Sequence, residues 1–133
     1  MKHKVDLPDD EWKKRLPSEC YRVCRQKGTE QPFRNKYWDC HDPGVYHCAA
    51  CGQALFRSED KYDSGSGWPS FIRPFNEKSV ETVRDTTFGM ERDEIVCSRC
   101  GSHLGHVFDD GPPPTGKRFC MNSAALDLKL QKE

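Results

Sequence analysis

The chain has 133 residues, 35% hydrophobic and 32% charged, with 21 basic and 21 acidic residues in formal balance. That length holds one domain with a thin core, and the zero net charge argues against nucleic acid or another polyanion as partner. No apolar run reaches the length of a membrane span, and the opening MKHKVDLPDDEWKK has no apolar signal-peptide region, so we expect a monomer in the cytoplasm.

The first elements are helical. Residues 7–16 carry Pro8 and three acids early and three bases late, the arrangement that suits a helix dipole. Pro17 stops that helix. Ser18 is placed to cap a second one running to about Lys27, with Gly28 as its terminator. Cys20, Tyr21 and Cys24 then share roughly one face, most simply a packing face. Residues 29–44 read as an ordered loop pinned by Phe33, Tyr37 and Trp38.

From Val45 onward the pattern changes to short strands and turns. Strands are expected at 45–48, 53–57, 80–84, 93–97, 104–108 and 118–128, with turn-rich stretches at 62–71 and 109–117. The whole is one domain over residues 1–133, a small antiparallel β core at 45–128 wrapped by the segment 1–44 and followed by a tail at 129–133.

Eight cysteines without a secretion signal need an explanation other than structural disulfides. Cys48-Ala-Ala-Cys51-Gly and Cys97-Ser-Arg-Cys100-Gly match in form. Each turn sets two sulfurs on one side, and two such turns facing each other make a closed S4 site suited to one structural zinc. Iron also fits four thiolates. A thioredoxin-type redox pair needs a βαβ context that is absent here.

Cys120 has no partner at metal spacing. Arg118 and Asn122 lie two residues either side, so guanidinium, thiol and carboxamide project from one face of a strand. A cation beside a thiol favours the thiolate, which is the nucleophile. His103 and His106, three apart, are the nearest proton donors for chemistry near neutral pH, and each could equally serve as a structural hydrogen-bonding group. Trp68, between Gly67 and Pro69, is either a lid on the core or an aromatic wall for a sulfur-bearing ligand. A zinc-pinned binding module is the rival reading, but a pure binder needs none of the Arg118–Cys120–Asn122 trio or the two histidines.

GWPSF (67–71), CGSHLGHVFDDGP (100–112) and RFCMNSAAL (118–126), with the two Cys-x-x-Cys pairs, closely resemble the peptide-methionine (R)-S-oxide reductases, the MsrB family. SECYRVCRQKGTEQPF is similar to that family's N-terminal region, so the resemblance covers about residues 8–128. It implies two antiparallel sheets with N-terminal helices (a β-tent) and zinc at Cys48, Cys51, Cys97 and Cys100. It implies Cys120 as nucleophile on the R epimer of methionine sulfoxide, protein-bound or free. His103 and His106 would surround the sulfoxide oxygen, Asn122 would assist, Asp110 would orient a histidine and Arg118 would support the thiolate. Trp68 and Phe119 would bind substrate.

The product is a sulfenic acid on Cys120, to be cleared by a second cysteine and then thioredoxin. Many family members carry that second cysteine just before the Gly-Trp-Pro motif. Here the position is Ser66, and no cysteine lies between Asp63 and Trp68. The remaining candidates are Cys40 and Cys24, then Cys20 or an external thiol.

Overall fold

A computed structural model describes Val5, residues 7–86 and residues 91–130. Two helices come first. Helix α1 (Asp9–Arg15) follows Pro8, carries its acids in the first turn and its bases in the last, and buries Trp12. Helix α2 (Ser18–Gln26) buries Cys20, Tyr21, Val23 and Cys24. Pro17, not Ser18, holds its N-cap position, and no side chain caps it. At the other end Lys27 takes the left-handed conformation expected of Gly28, and the Gly28 N–H closes the turn on the Arg22 carbonyl at 2.9 Å.

Nine strands follow among the described residues: β1 (Gly44–Cys48), β2 (Ala54–Arg57), β3 (Lys61–Tyr62), β4 (Ser70–Phe71), β5 (Val80–Asp85), β6 (Arg92–Cys97), β7 (His103–Phe108), β8 (Arg118–Met121) and β9 (Leu126–Leu130). They form two antiparallel sheets, one in the order β2-β1-β9 and one in the order β3-β4-β8-β7-β6-β5. Aromatic rings join the sheets. Phe56 stacks on Phe71 at 4.4 Å, and Tyr46 meets Phe71 edge-on at 5.2 Å.

The strand expected at 118–128 is two strands in two sheets. A single 3-10 turn at Ser123–Ala125 separates them. Contacts from the N-terminal loop hold that break: the Tyr37 N–H donates to Ser123 Oγ at 3.2 Å, and the Ala124 N–H donates to the Glu30 carboxylate at 2.9 Å. Strand β9 extends to Leu130, opposite Gly44, so the tail does not begin at 129, and residues 131–133 lie outside the described ones. Strands β3 and β4, two residues each, are too short for an alternation pattern to reveal.

Of the three rings expected to pin the 29–44 loop, Tyr37 does so. It packs edge-on to Tyr46 at 5.2 Å, and its hydroxyl accepts the Leu128 N–H at 2.9 Å. Phe33 is instead 53% exposed. Among the described residues no helix is long and apolar enough to cross a membrane.

Candidate active site and metal centre

Four side chains stand in register across the larger sheet: Glu94 on β6, His106 on β7, Cys120 on β8 and Ser70 on β4. Directly opposed residues of antiparallel strands share a face. Carboxylate, imidazole, thiol and hydroxyl therefore project together.

Regular alternation would send His103 to the opposite face from His106. The register between β6 and β7 slips between Ile95 and Val96, so Ile95 faces Gly105 while Val96 faces His103, with Leu104 as the extra residue. This bulge returns His103 to the face of His106. The two rings lie 5.4 Å apart, and His103 Nδ1 meets the Glu94 carboxylate at 2.7 Å. Gly105 makes the close approach of β8 possible. A Cβ there would sit 2.0 Å from the Cys120 carbonyl oxygen.

A pocket of about 190 Å³ opens over this row, lined by Trp68, His106, Phe108, Arg118, Cys120 and Asn122 among others. Trp68 is aimed by its turn. Gly67 has a left-handed φ of 87°, and a Cβ on it would meet Pro32 and Phe33 at 2.6 Å. The Trp68 indole N–H donates to the Glu30 carbonyl at 2.9 Å. Asn122 is buried, and its amide is engaged at both ends: Nδ2 donates to the Leu104 carbonyl at 3.1 Å and Oδ1 accepts the Glu30 N–H at 3.0 Å. Phe119, expected to bind substrate, points away. It sits on the other face of β8 and packs toward Phe56 at 5.9 Å, on the core side.

The electrostatics correct two expectations. Burial pushes the Cys120 thiol above its ordinary range, while Ser66, whose Oγ is 4.0 Å from Sγ, and Arg118 pull it back without prevailing. Arg118 is also committed elsewhere: its guanidinium is forked onto Asp110 at 2.8 and 3.2 Å. Asp110 therefore orients Arg118 and not a histidine, because the 109–117 loop folds back through the Gly111 N–H to the Gly116 carbonyl at 3.0 Å and sets Asp110 beside the start of β8.

The carboxylates on the histidines are Glu94 and Asp85. Asp85 Oδ2 meets His106 Nε2 at 2.9 Å. Burial lowers His106 below its ordinary range, only partly offset by Asp85. Burial also pushes Glu94 up, but hydrogen bonding from His103 and the Lys27 ammonium at 3.3 Å outweigh it and hold the carboxyl low. Sequence reading missed both acids. Their alternation marks half-buried strands, and only the bulge and the register show which imidazole each one meets.

The four knuckle cysteines meet as expected. Cys48, Cys51, Cys97 and Cys100 place their sulfurs within 4.8 Å of one another. Cys48 and Cys100 are 3.7 Å apart, and Cys51 and Cys97 are 3.6 Å apart. A tetrahedral S4 site with bonds of about 2.3 Å has edges of about 3.8 Å, so the cluster can hold a metal ion. The Gly52 and Gly101 N–H groups close the two turns on the Cys48 and Cys97 carbonyls, each at 2.8 Å. The second knuckle leads directly into β7 and its histidines.

The SelR domain matches residues 16–130 of this chain. Relatives carry the name Peptide methionine sulfoxide reductase MsrB. One from Leptospira interrogans is 55% identical over the full length of both chains. One from Methanosarcina barkeri is 54% identical over 97% of this chain and 91% of its own. A third, from Acinetobacter baumannii, is 54% identical over 98% of this chain and 94% of its own. The chain belongs to the MsrB family.

Three cysteines remain outside the metal cluster and the pocket of this MsrB chain. Cys24 is buried with its sulfur 3.8 Å from that of Cys20, and this contact, with burial, pushes its thiol far up. Cys40 is half-buried on the wrapping loop, 3.8 Å from the Asp42 carboxylate.

Proposed function

We propose that the protein reduces the R epimer of methionine sulfoxide, in polypeptides and as the free amino acid, and so repairs oxidative damage. One observation carries the reading. A half-buried thiol, Cys120, stands opposite the carboxylate-held imidazole of His106 on the wall of a small pocket whose lining includes the Trp68 indole.

Cys120 sulfur attacks the sulfoxide sulfur, forming a sulfur–sulfur bond, and the sulfoxide oxygen takes protons and leaves as water when the S–O bond breaks. A water molecule then attacks the Cys120 sulfur, the sulfur–sulfur bond breaks, methionine departs reduced by two electrons, and Cys120 is left oxidised by two, as a sulfenic acid. His106 lines the pocket, so it is the histidine we assign to the proton. His103 stands behind it, fixed by Glu94. Asn122 ties the end of the thiol-bearing strand to Leu104 on β7, and Arg118 with Asp110 shapes the far wall. Trp68 takes the sulfoxide methyl, since sulfur-bearing methyls pack well on aromatic faces.

A second thiol then displaces hydroxide from the sulfenic acid, forming a disulfide and water. Ser66 occupies the near position, so the thiol comes from further away. Cys40, half-buried on the loop, is our assignment ahead of the buried Cys24, and thioredoxin is the reductant that clears the disulfide. The metal held by the knuckles is one zinc. With four thiolates there is no open position, so it supplies rigidity below β7 and no catalytic chemistry. We place the protein in the cytoplasm as a monomer.

Trapping tests the assignment of the nucleophile. After one equivalent of a methionine sulfoxide peptide, a sulfenic-acid reagent should label Cys120 in a Cys40→Ser, Cys24→Ser double variant. Label elsewhere, or none, contradicts it. Thiol counting tests recycling: Cys40→Ser should lose one thiol per turnover, and if it still loses two, Cys40 is not the resolving residue.

A further inference from the structure

Glu30 is buried, 3% exposed, on a loop outside the sheets, and the chemistry above gives it no role. Its bonds run to both sides of the pocket. Its main-chain carbonyl accepts the Trp68 indole N–H at 2.9 Å, and its main-chain N–H donates to Asn122 Oδ1 at 3.0 Å. Trp68 and Asn122 both line the pocket. A single residue thus sets the aromatic wall against the carboxamide.

The side chain fixes that main chain. Glu30 Oε1 accepts the Ala124 N–H at 2.9 Å, two residues beyond Asn122, and Asn35 Nδ2–H at 2.9 Å on its own loop. A buried carboxylate needs hydrogen-bond donors, and these two hold it in one place. The anchor at Ala124 belongs to the turn that breaks β8 from β9, so wall, carboxamide and turn share one fixed point.

We infer that Glu30 is a positioning residue for substrate binding: its carboxylate locks the loop so that its backbone holds Trp68 at a set distance from Asn122. It touches no reacting atom. Its effect passes through Trp68 to the fit of the sulfoxide methyl, and so to KM and epimer choice. The kinetic part of the inference rests on the reductase reading, while the structural part does not.

Two measurements on the full chain test it. The first is hydrogen exchange of the Trp68 indole N–H, assigned by its loss in Trp68→Phe. Exchange should be slow in the wild type and in Glu30→Gln, whose side-chain oxygen keeps both hydrogen bonds. It should speed up by about tenfold or more in Glu30→Ala. The second is steady-state kinetics on a methionine sulfoxide peptide. Glu30→Ala should raise KM by about tenfold, and Glu30→Gln should stay within about twofold of the wild type. In a Trp68→Phe background the KM effect of Glu30→Ala should vanish, because the tie it acts through is already cut.

Unchanged indole exchange in Glu30→Ala, or the same KM penalty with and without the Trp68 indole, overturns the inference. A wild type that exchanges as expected but turns over no sulfoxide supports the positioning and refutes the reductase reading instead. Should Glu30→Ala fail to fold, Asn35→Ala, which removes one of the two donors, should give the same pattern at smaller size. No change in its exchange overturns the inference equally.

Discussion

At Cys120 and His106 the protein holds two groups out of their ordinary ranges in opposite directions. Burial raises the thiol above the usual 9.0 and lowers the imidazole below the usual 6.5. In the mechanism proposed above, the two groups together carry one proton between those limits, and moving it from sulfur to nitrogen would create the thiolate and the proton donor together. The pH profile follows. Below the imidazole value both groups are protonated and no thiolate forms. Above the thiol value both have lost their protons and no acid remains. We predict a kcat/KM plateau bounded by an acid limb below pH 6.5 and an alkaline limb above pH 9. A single rising limb with no alkaline fall would contradict the pairing. Arg118 is one of the groups that pull the thiol down, so Arg118→Ala should slow iodoacetamide labelling of Cys120 at pH 8 by about threefold to tenfold. The residue scale is also where sequence reading was least complete. The trio Arg118, Cys120 and Asn122 was legible from period-two spacing. The partners of the two histidines and of Asn122 were not, because Asp85, Glu94 and Glu30 reach the site only through cross-strand register and a loop contact.

Among the elements, the pairing of β7 with β8 sets His106 opposite Cys120, the acid and nucleophile of the proposed mechanism. Gly105 permits that pairing, since any Cβ there collides with the Cys120 carbonyl at 2.0 Å. Gly105→Ala should therefore cost about 1–3 kcal/mol in urea unfolding and lower activity beyond what the lost stability explains. A variant with wild-type midpoint and rate would show that β8 does not lie that close. Alternation located most strands well, including β5, β6 and β7 within a residue. Within the longer strands it failed at two places for one reason. The β-bulge at Leu104 and the break at Ser123–Ala125 are made by contacts from other parts of the chain, and a local period carries no information about those. The run 118–128 looked continuous because both halves alternate, yet they belong to different sheets.

For the whole molecule, two sheets are joined by an aromatic core and pinned by four cysteines at the foot of β7. The knuckle spacing was readable without any structure, because two sulfurs per tight turn is a local property. How the wrapping segment is fastened to the sheets was not, since Tyr37 and Glu30 act across more than eighty residues of chain. With a thin core, a metal held by that cluster would carry much of the stability. Metal analysis should find about one zinc per chain, and Cys97→Ser should lower the unfolding midpoint by more than about 10 °C. A folded, metal-free protein with an unchanged midpoint would refute the structural role.

Turnover of a racemic methionine sulfoxide peptide with dithiothreitol, followed by separation of the two epimers, tests stereospecific reduction by the Cys120 thiol most directly. The R epimer alone should be consumed, and Cys120→Ser should consume neither. Equal loss of both epimers, or activity that survives in Cys120→Ser, would contradict it.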